Sequence, residues 1–159
     1  MSDNKKIINA RTVEYNGITF RSDTERRIYI KLLSLGITPE YEVEKFTLVK
    51  GFTPTKAWYV DGIPQNTKKK DKTTGKFTIR TDKPKSLEDW DYTPDFRIKK
   101  GDYTFYIEVK GYPNDLWAYK RKLFLKLIEQ QPHTYFFEVK TIKGLLETVK
   151  LMDKLYGNP

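Results

Sequence analysis

Three side chains near the middle of the chain have the types and the spacing for hydrolysis assisted by a hard cation: Asp95, Glu108 and Lys110. Glu108 and Lys110 lie two apart in Tyr106-Ile107-Glu108-Val109-Lys110-Gly111. On a strand they project to one side, while Phe105, Ile107 and Val109 face the other. Asp95 sits one short hairpin earlier, in Tyr92-Thr93-Pro94-Asp95-Phe96, and antiparallel pairing would bring it towards Glu108. Two carboxylates and the Val109 backbone carbonyl are the oxygen donors that Mg2+ takes, with Mn2+ as a substitute, and they leave room for water. Such an ion lowers the pKa of a bound water and neutralises charge on a phosphate under attack. Lys110 could orient that water or hold a fixed positive charge against the transition state.

Composition excludes most competing chemistries. The 159 residues include no cysteine and a single histidine, His133. Disulfides, thiolate zinc sites, cysteine nucleophiles and multi-histidine metal sites are therefore ruled out. His133, within Pro132-His133-Thr134, is expected at the surface where a strand begins. Thirty Lys and Arg against 21 Asp and Glu give a formal charge of +9, which attracts polyanions and makes binding salt-sensitive. Nucleic acid is the expected partner. No apolar run approaches the ~20 residues of a spanning helix, and no signal-peptide pattern opens the chain, so a cytoplasmic protein without membrane contact is expected. Hydrophobic residues at 38% and charged residues at 32% fit one globular domain over 1–159.

The elements that must hold the three residues together follow from periodicity. Residues 1–21 are expected to be an arm. Ser22 is a helix cap, and Ile28, Tyr29, Leu32 and Leu33 recur at helical spacing until Gly36, which predicts a helix over 22–35. Tyr41–Val49 predicts a bent or bulged strand. Strands over Thr93–Ile98 and Tyr103–Lys110 are joined by the turn Lys99-Lys100-Gly101-Asp102. A helix over 115–130, capped by Asn114 or Asp115, precedes a strand over His133–Lys140. A last helix over 142–156 is capped by Thr141 and stopped by Gly157, with Leu145, Leu146, Val149, Met152 and Leu155 on its apolar face. The order implies an α/β fold with a mixed central sheet flanked by helices. Residues 50–90 form a basic insertion whose 64–85 segment, turned at Thr73-Thr74-Gly75, is expected to be a hairpin or flap.

Pro94-Asp95 followed by Glu108-Val109-Lys110 resembles the signature of the PD-(D/E)XK nuclease superfamily. That resemblance, over roughly residues 22–140, implies a restriction-endonuclease-like core of helix, strand, strand, strand, helix, strand. It makes Asp95 and Glu108 metal ligands and Lys110 the catalytic lysine of a Mg2+-dependent endonuclease. The pattern alone is short, and charged pairs two apart are common on exposed strand faces. Phe137-Glu138-Val139-Lys140 repeats the triplet, but no Pro-Asp strand precedes it, so Glu138 and Lys140 are expected to be structural.

Glu25 admits two readings. Ser22-Asp23-Thr24-Glu25 is a capping box, yet Glu25 also ends the apolar stripe of its helix, and similar nucleases carry an acidic metal-site residue there. Lys120 shares a stripe with Leu116, Leu123 and Leu127; it either snorkels to water or, as the resemblance implies, contacts phosphate. In the flap Lys68, Lys69, Lys70, Lys72, Lys76 and Arg80 are expected to grip DNA phosphates, with Trp58, Tyr59 or Trp90 stacking on unpaired bases; a merely solvated loop is the alternative.

Small size and the Tyr-x-Pro-Asp-Phe and Glu-Val-Lys-Gly motifs look most similar to phage-encoded Holliday-junction-resolvase-like endonucleases. This implies a structure-selective DNA endonuclease acting on branched DNA, as a homodimer because cutting two strands symmetrically takes two sites. A sequence-specific or DNA-processing endonuclease of the same fold is the first alternative. A non-catalytic DNA-binding or virion protein that keeps the fold is the second.

Overall fold

The structure, a computed structural model, describes residues 11–111 and 115–157, leaving aside the side chains of 67, 69 and 79–83. In chain order the elements are β1 (Val13–Tyr15), β2 (Ile18–Phe20), α1 (Asp23–Ser34), β3 (Glu40–Tyr41), β4 (Phe46–Val49), β5 (Tyr59–Val60), β6 (Ile63–Pro64), β7 (Asn66–Lys70), β8 (Phe77–Pro84), β9 (Trp90–Tyr92), β10 (Phe96–Lys100), β11 (Tyr103–Val109), α2 (Asp115–Ile128), β12 (Thr134–Val139) and α3 (Ile142–Gly157). The fold is α/β, with three helices and a mixed sheet among the described residues. The chain separates into two compact units, Thr47–Asp91 and the remainder on either side of it.

In the first unit β12, β11, β10 and β3 form one sheet in that order. β10 runs antiparallel to β11 and to β3, and β12 runs parallel to β11. Alternation splits the sheet into two faces. On one face Phe96, Ile98, Phe105, Ile107, Val109 and Val139 pack with Ile28, Tyr29 and Leu32 of α1 and with Leu145 and Met152 of α3. On the other, Phe124 of α2 meets Phe46, Tyr92, Tyr106 and Phe136 with ring centroids 4.9–5.6 Å apart. Because both faces are covered, Tyr106 and Glu108 are as buried as Phe105 and Ile107.

Local chemistry sets the helix limits. The Ser22 hydroxyl accepts the Glu25 N–H at 3.2 Å, and Gly36 ends α1 at φ +74°, a left-handed conformation that glycine adopts without strain. Thr141 Oγ1 accepts the Gly144 N–H at 3.0 Å at the start of α3.

Several expectations need correction. The described part of the 1–21 arm is a β1–β2 hairpin, turned by Asn16 and Gly17 at φ +50° and +75°, and it buries Phe20 completely. Tyr41–Val49 is two strands: β3 joins the main sheet, whereas β4 pairs with β9. The strand expected at Thr93–Ile98 begins only at Phe96, since Pro94 has no N–H for a ladder. On α2 the buried residues are Trp117, Phe124 and Ile128, and Leu116 is exposed, so the apolar stripe is displaced by one residue. His133 lies just before β12 with φ +52°. Asn114 as a cap lies outside the described residues, and so does the arm before Arg11.

Along the Thr47–Asp91 unit β4 pairs with β9, and Phe52 with Leu87, β5 with β6 and β7 with β8 pair antiparallel. Gly51 is required, because a Cβ there would lie 2.4 Å from the Leu87 carbonyl oxygen. At the tip, Asp71 Oδ1 accepts the N–H groups of Thr73 and Thr74 at 2.8 and 2.7 Å, and Gly75 takes φ +68°.

Truncating Phe96, which is fully buried between α1 and the sheet, should cost about 3–5 kcal/mol as Phe96→Ala. Urea unfolding checks this; a loss below about 1 kcal/mol would show that this packing does not hold the unit together.

Candidate active site

Asp95, Glu108 and Lys110 are brought together at the end of the β10–β11 hairpin. The pairing of Phe96 with Ile107, continued by one residue, sets Asp95 opposite Glu108. Asp95 Oδ2 accepts the Val109 N–H at 2.6 Å, which ties it to β11 although it precedes β10. Asp95 and Glu108 are 7% and 4% exposed. Lys110 Nζ donates to Glu108 Oε1 at 2.7 Å, and the Tyr92 hydroxyl donates to Glu108 Oε2 at 2.7 Å.

The electrostatics are lopsided. Burial, then the charge of Glu108, pushes the Asp95 carboxyl up to about 8. The Val109 N–H and Lys110 oppose the shift, and Glu25 adds to it. Burial and the Glu108 charge hold the Tyr92 phenol far above its ordinary value, so it remains a donor. Lys110 Nζ also lies 4.3 Å from the ring centre of Trp117, whose face attracts a cation.

Glu25 stands near enough for its charge to be felt at Asp95, but its oxygens are already engaged. Oε1 accepts from the Ser22 hydroxyl at 2.7 Å; Oε2 accepts from the Tyr41 hydroxyl at 2.7 Å and from the Arg21 N–H at 3.1 Å. Among the described residues no three acidic or histidine side chains form a group that could hold a metal ion. The structure therefore does not gather Glu25 with Asp95 and Glu108 as a third ligand.

Whether Mg2+ suits the remaining pair can be judged from the donors. Mg2+ keeps several waters and binds through one or two carboxylates plus substrate phosphate. Burial and the neighbouring Glu108 charge raise the Asp95 carboxyl, a cost that a cation beside it would relieve, and the oxygen set fits a hard ion. Glu108 and Asp95, with the Val109 carbonyl, are the residues that would hold it.

Glu138, in the second Glu-Val-Lys triplet, lies beside Glu108 in register on β12. It accepts from Trp117 Nε1 and Arg121 at 3.0 Å each, with Lys140 4.0 Å away. Burial alone would raise its carboxyl, yet these donors hold it below the ordinary value. Glu138 thus anchors α2 to β12. Lys120 is half-buried on α2, one turn beyond Trp117. Lys68, Lys70, Lys72 and Lys76 are exposed on β7 and the turn that follows it; the side chains of Lys69 and Arg80 lie outside the described residues. Tyr59 is exposed, and Trp58 and Trp90 are half-buried.

No protein-family model, curated protein or solved structure matches this chain. Among the described residues no helix is long and apolar enough to cross a membrane.

Three contributors went unassigned in the sequence. Tyr92 lies inside the quoted motif, and its spacing of three from Asp95 was a usable hint. Trp117 was recoverable from the aromatic pair Trp117 and Phe124, seven apart on one helical face. Glu42 had no signal. It takes φ +45° and donates its N–H to the Asp95 carbonyl at 2.9 Å. Burial raises its carboxyl, with Glu25 and Glu108 adding to the shift. Arg21 Nε stands 2.8 Å from Glu42 Oε1, yet that buried oxygen has no donor in hydrogen-bond geometry, so the contact is an ion pair with the N–H aimed elsewhere.

Asp95 makes stability depend on pH. Its folded value of about 8 lies above the ordinary value of 3.8. Between the two the folded state keeps a proton that the unfolded state has lost, so this group's contribution to stability falls as pH rises, and the full cost applies above about pH 8. In EDTA, Asp95→Asn should melt higher than the wild type, by an increment that grows from about pH 5 to about pH 9, each kcal/mol of relief being worth roughly 2–4 °C at this length. Thermal unfolding across that range checks it; a constant or negative increment would mean the Asp95 charge is already compensated.

Proposed function

We propose that the chain is a metal-dependent DNA endonuclease, hydrolysing phosphodiester bonds at Asp95, Glu108 and Lys110, and that it selects branched DNA. The observation that carries the reading is a buried, mutually repelling carboxylate pair with one lysine hydrogen-bonded to it, in a protein of charge +9. The element order α1, β3, β10, β11, α2, β12 supports it, because it follows the helix and strand order of the PD-(D/E)XK core.

Each residue has a separable task. When bound, Mg2+ supplies a water of lowered pKa and positive charge beside the scissile phosphate. Asp95 and Glu108 would hold the ion, and the Val109 N–H fixes the rotamer of Asp95. Tyr92 keeps one Glu108 oxygen in place, which leaves Lys110 as the movable partner. Lys110, partly exposed at 26%, can exchange its bond to Glu108 for a phosphate oxygen and stabilise charge that develops there. Glu25, whose oxygens hold Ser22, Tyr41 and Arg21, acts as a positioning residue at the head of α1. Asp95 and Glu108 are themselves buried, and charge interactions are stronger away from bulk water.

The test offers the full-length protein four-way junctions, linear duplex and single strands with Mg2+. Wild type should cut junctions fastest. Asp95→Asn and Lys110→Ala should each lower the rate by roughly 10²–10³-fold or more, while binding in EDTA persists because phosphate electrostatics dominate affinity. Full cleavage by either variant would overturn the site; equal cutting of all three substrates would overturn the selectivity alone.

A further inference from the structure

The main sheet ends on β12. Its ladder with β11 shows which backbone groups are in use: the Thr104 N–H donates to the His133 carbonyl and the Lys110 N–H to the Val139 carbonyl, each at 2.9 Å. With Thr104 opposite Thr134 in a parallel ladder, the polar groups of Tyr135, Phe137 and Val139 face β11, and those of Thr134, Phe136 and Glu138 face outward. Among the described residues no strand or loop backbone pairs with this outer edge.

Native sheets blunt an open edge with proline, lysine, a bulge or a covering element. β12 carries none of the first three: its sequence is Thr-Tyr-Phe-Phe-Glu-Val, and its register against β11 is unbroken from Thr134 to Val139. Its one charge, on Glu138, is answered by Arg121. Leu125 of α2, 43% exposed, lines a cavity of about 530 Å3 together with Tyr135 and Phe136, so the apolar surface continues from the strand on to the helix.

This edge is complementary to itself. In an antiparallel pair, outward-facing residues meet outward-facing residues and exchange both N–H···O bonds. A two-fold axis through Phe136 is the register that uses all of them: Phe136 meets its copy, and Thr134 meets Glu138 on either side. Between these pairs Tyr135 meets Phe137. Aromatic rings therefore pair on both faces of the joined sheet, and no charge lies opposite its like.

We propose that β12 is the surface on which two copies of this chain join, by antiparallel pairing about an axis through Phe136. Such an interface is closed, since each copy covers the other's edge. It sets both Glu108 carboxylates on one face of a continuous sheet, about 20 Å apart at ~4.8 Å per strand and ~3.3 Å per residue. If the cleavage reading holds, one DNA reaches both.

Equilibrium sedimentation of the full-length protein in EDTA tests the pairing, at about 1–100 µM because interfaces of modest area bind in the micromolar range. Wild type should dimerise. Thr134→Glu sets like charges opposite Glu138 at both symmetric positions and should raise the dimer Kd roughly 2- to 30-fold, whereas Thr134→Lys should lower it by a similar factor. Thr134 lies outside the buried core, so both variants should keep the wild-type circular dichroism. The chain has no cysteine, and a nitroxide on Lys140→Cys, an exposed position, therefore labels one site per copy. Pulsed dipolar electron paramagnetic resonance should place the two labelled Cα positions about 27 Å apart. A monomer at every concentration, equal or reversed effects of the Thr134 variants, or no distance between about 20 and 35 Å overturns the proposal. Neither measurement involves DNA or metal, so its failure leaves the cleavage reading untouched, and an inactive protein that dimerises in this register leaves the interface standing.

Discussion

Two carboxylates buried side by side repel each other, and in this protein the repulsion is imposed by the backbone. The β10–β11 register puts Asp95 against Glu108, and a 2.6 Å bond from the Val109 N–H keeps Asp95 from turning away. Moving the register by one residue would send Glu108 into the Ile28 and Leu32 face and bring Ile107 to the acidic side. The apolar packing of Phe105 and Ile107 against α1 and α3 therefore decides which way Glu108 points. Core stability and site geometry are one constraint seen from opposite faces of a strand.

The surroundings manage that repulsion without cancelling it. Glu108 has Tyr92 on one oxygen and Lys110 on the other, while Asp95 receives one backbone N–H and keeps a raised pKa. Glu25 and Glu42 enlarge the negative field; Glu25 accepts from Arg21, Ser22 and Tyr41, and Glu42 has the Arg21 charge beside it. The result is graded: Glu25 and Glu108 each have several donors, and Asp95, with one, keeps the raised pKa. By contrast Glu138, one strand over, is satisfied by two nitrogen donors, which is why the duplicate triplet has a structural role.

Much of this was legible because short-range chemistry dominates there. Ser22 and Gly36 bracket α1, Thr141 starts α3, and Gly101 turns the β10–β11 hairpin at φ +55°; each acts within a few residues of itself. The alternation of Phe105, Ile107 and Val109 with Tyr106 and Glu108 likewise displays the strand directly. Asn16-Gly17 was an available hairpin signal, overlooked because polar and basic neighbours suggested an arm. The division of Tyr41–Val49 was not readable, since which sheet a strand joins depends on partners fifty residues away. Trp117 was missed by one position of helical phase: leucines suggested one stripe, and the larger aromatic rings won the interior. Glu42 depends on a left-handed backbone and a carbonyl from Asp95, neither of which has a local sequence mark.

Trp117 has a further consequence. Its ring edge gives an N–H to Glu138 on β12, and its ring face lies beneath the ammonium of Lys110, which follows β11. One indole thus touches an acid and a base at adjacent parallel strands, each of which also has a partner of its own, Arg121 for Glu138 and Glu108 for Lys110. Phenylalanine would keep the face and lose the donor, and glutamine would keep a donor and lose the face. Either substitution would keep one of these contacts and lose the other, so a side chain polar at its rim and aromatic in its plane makes both.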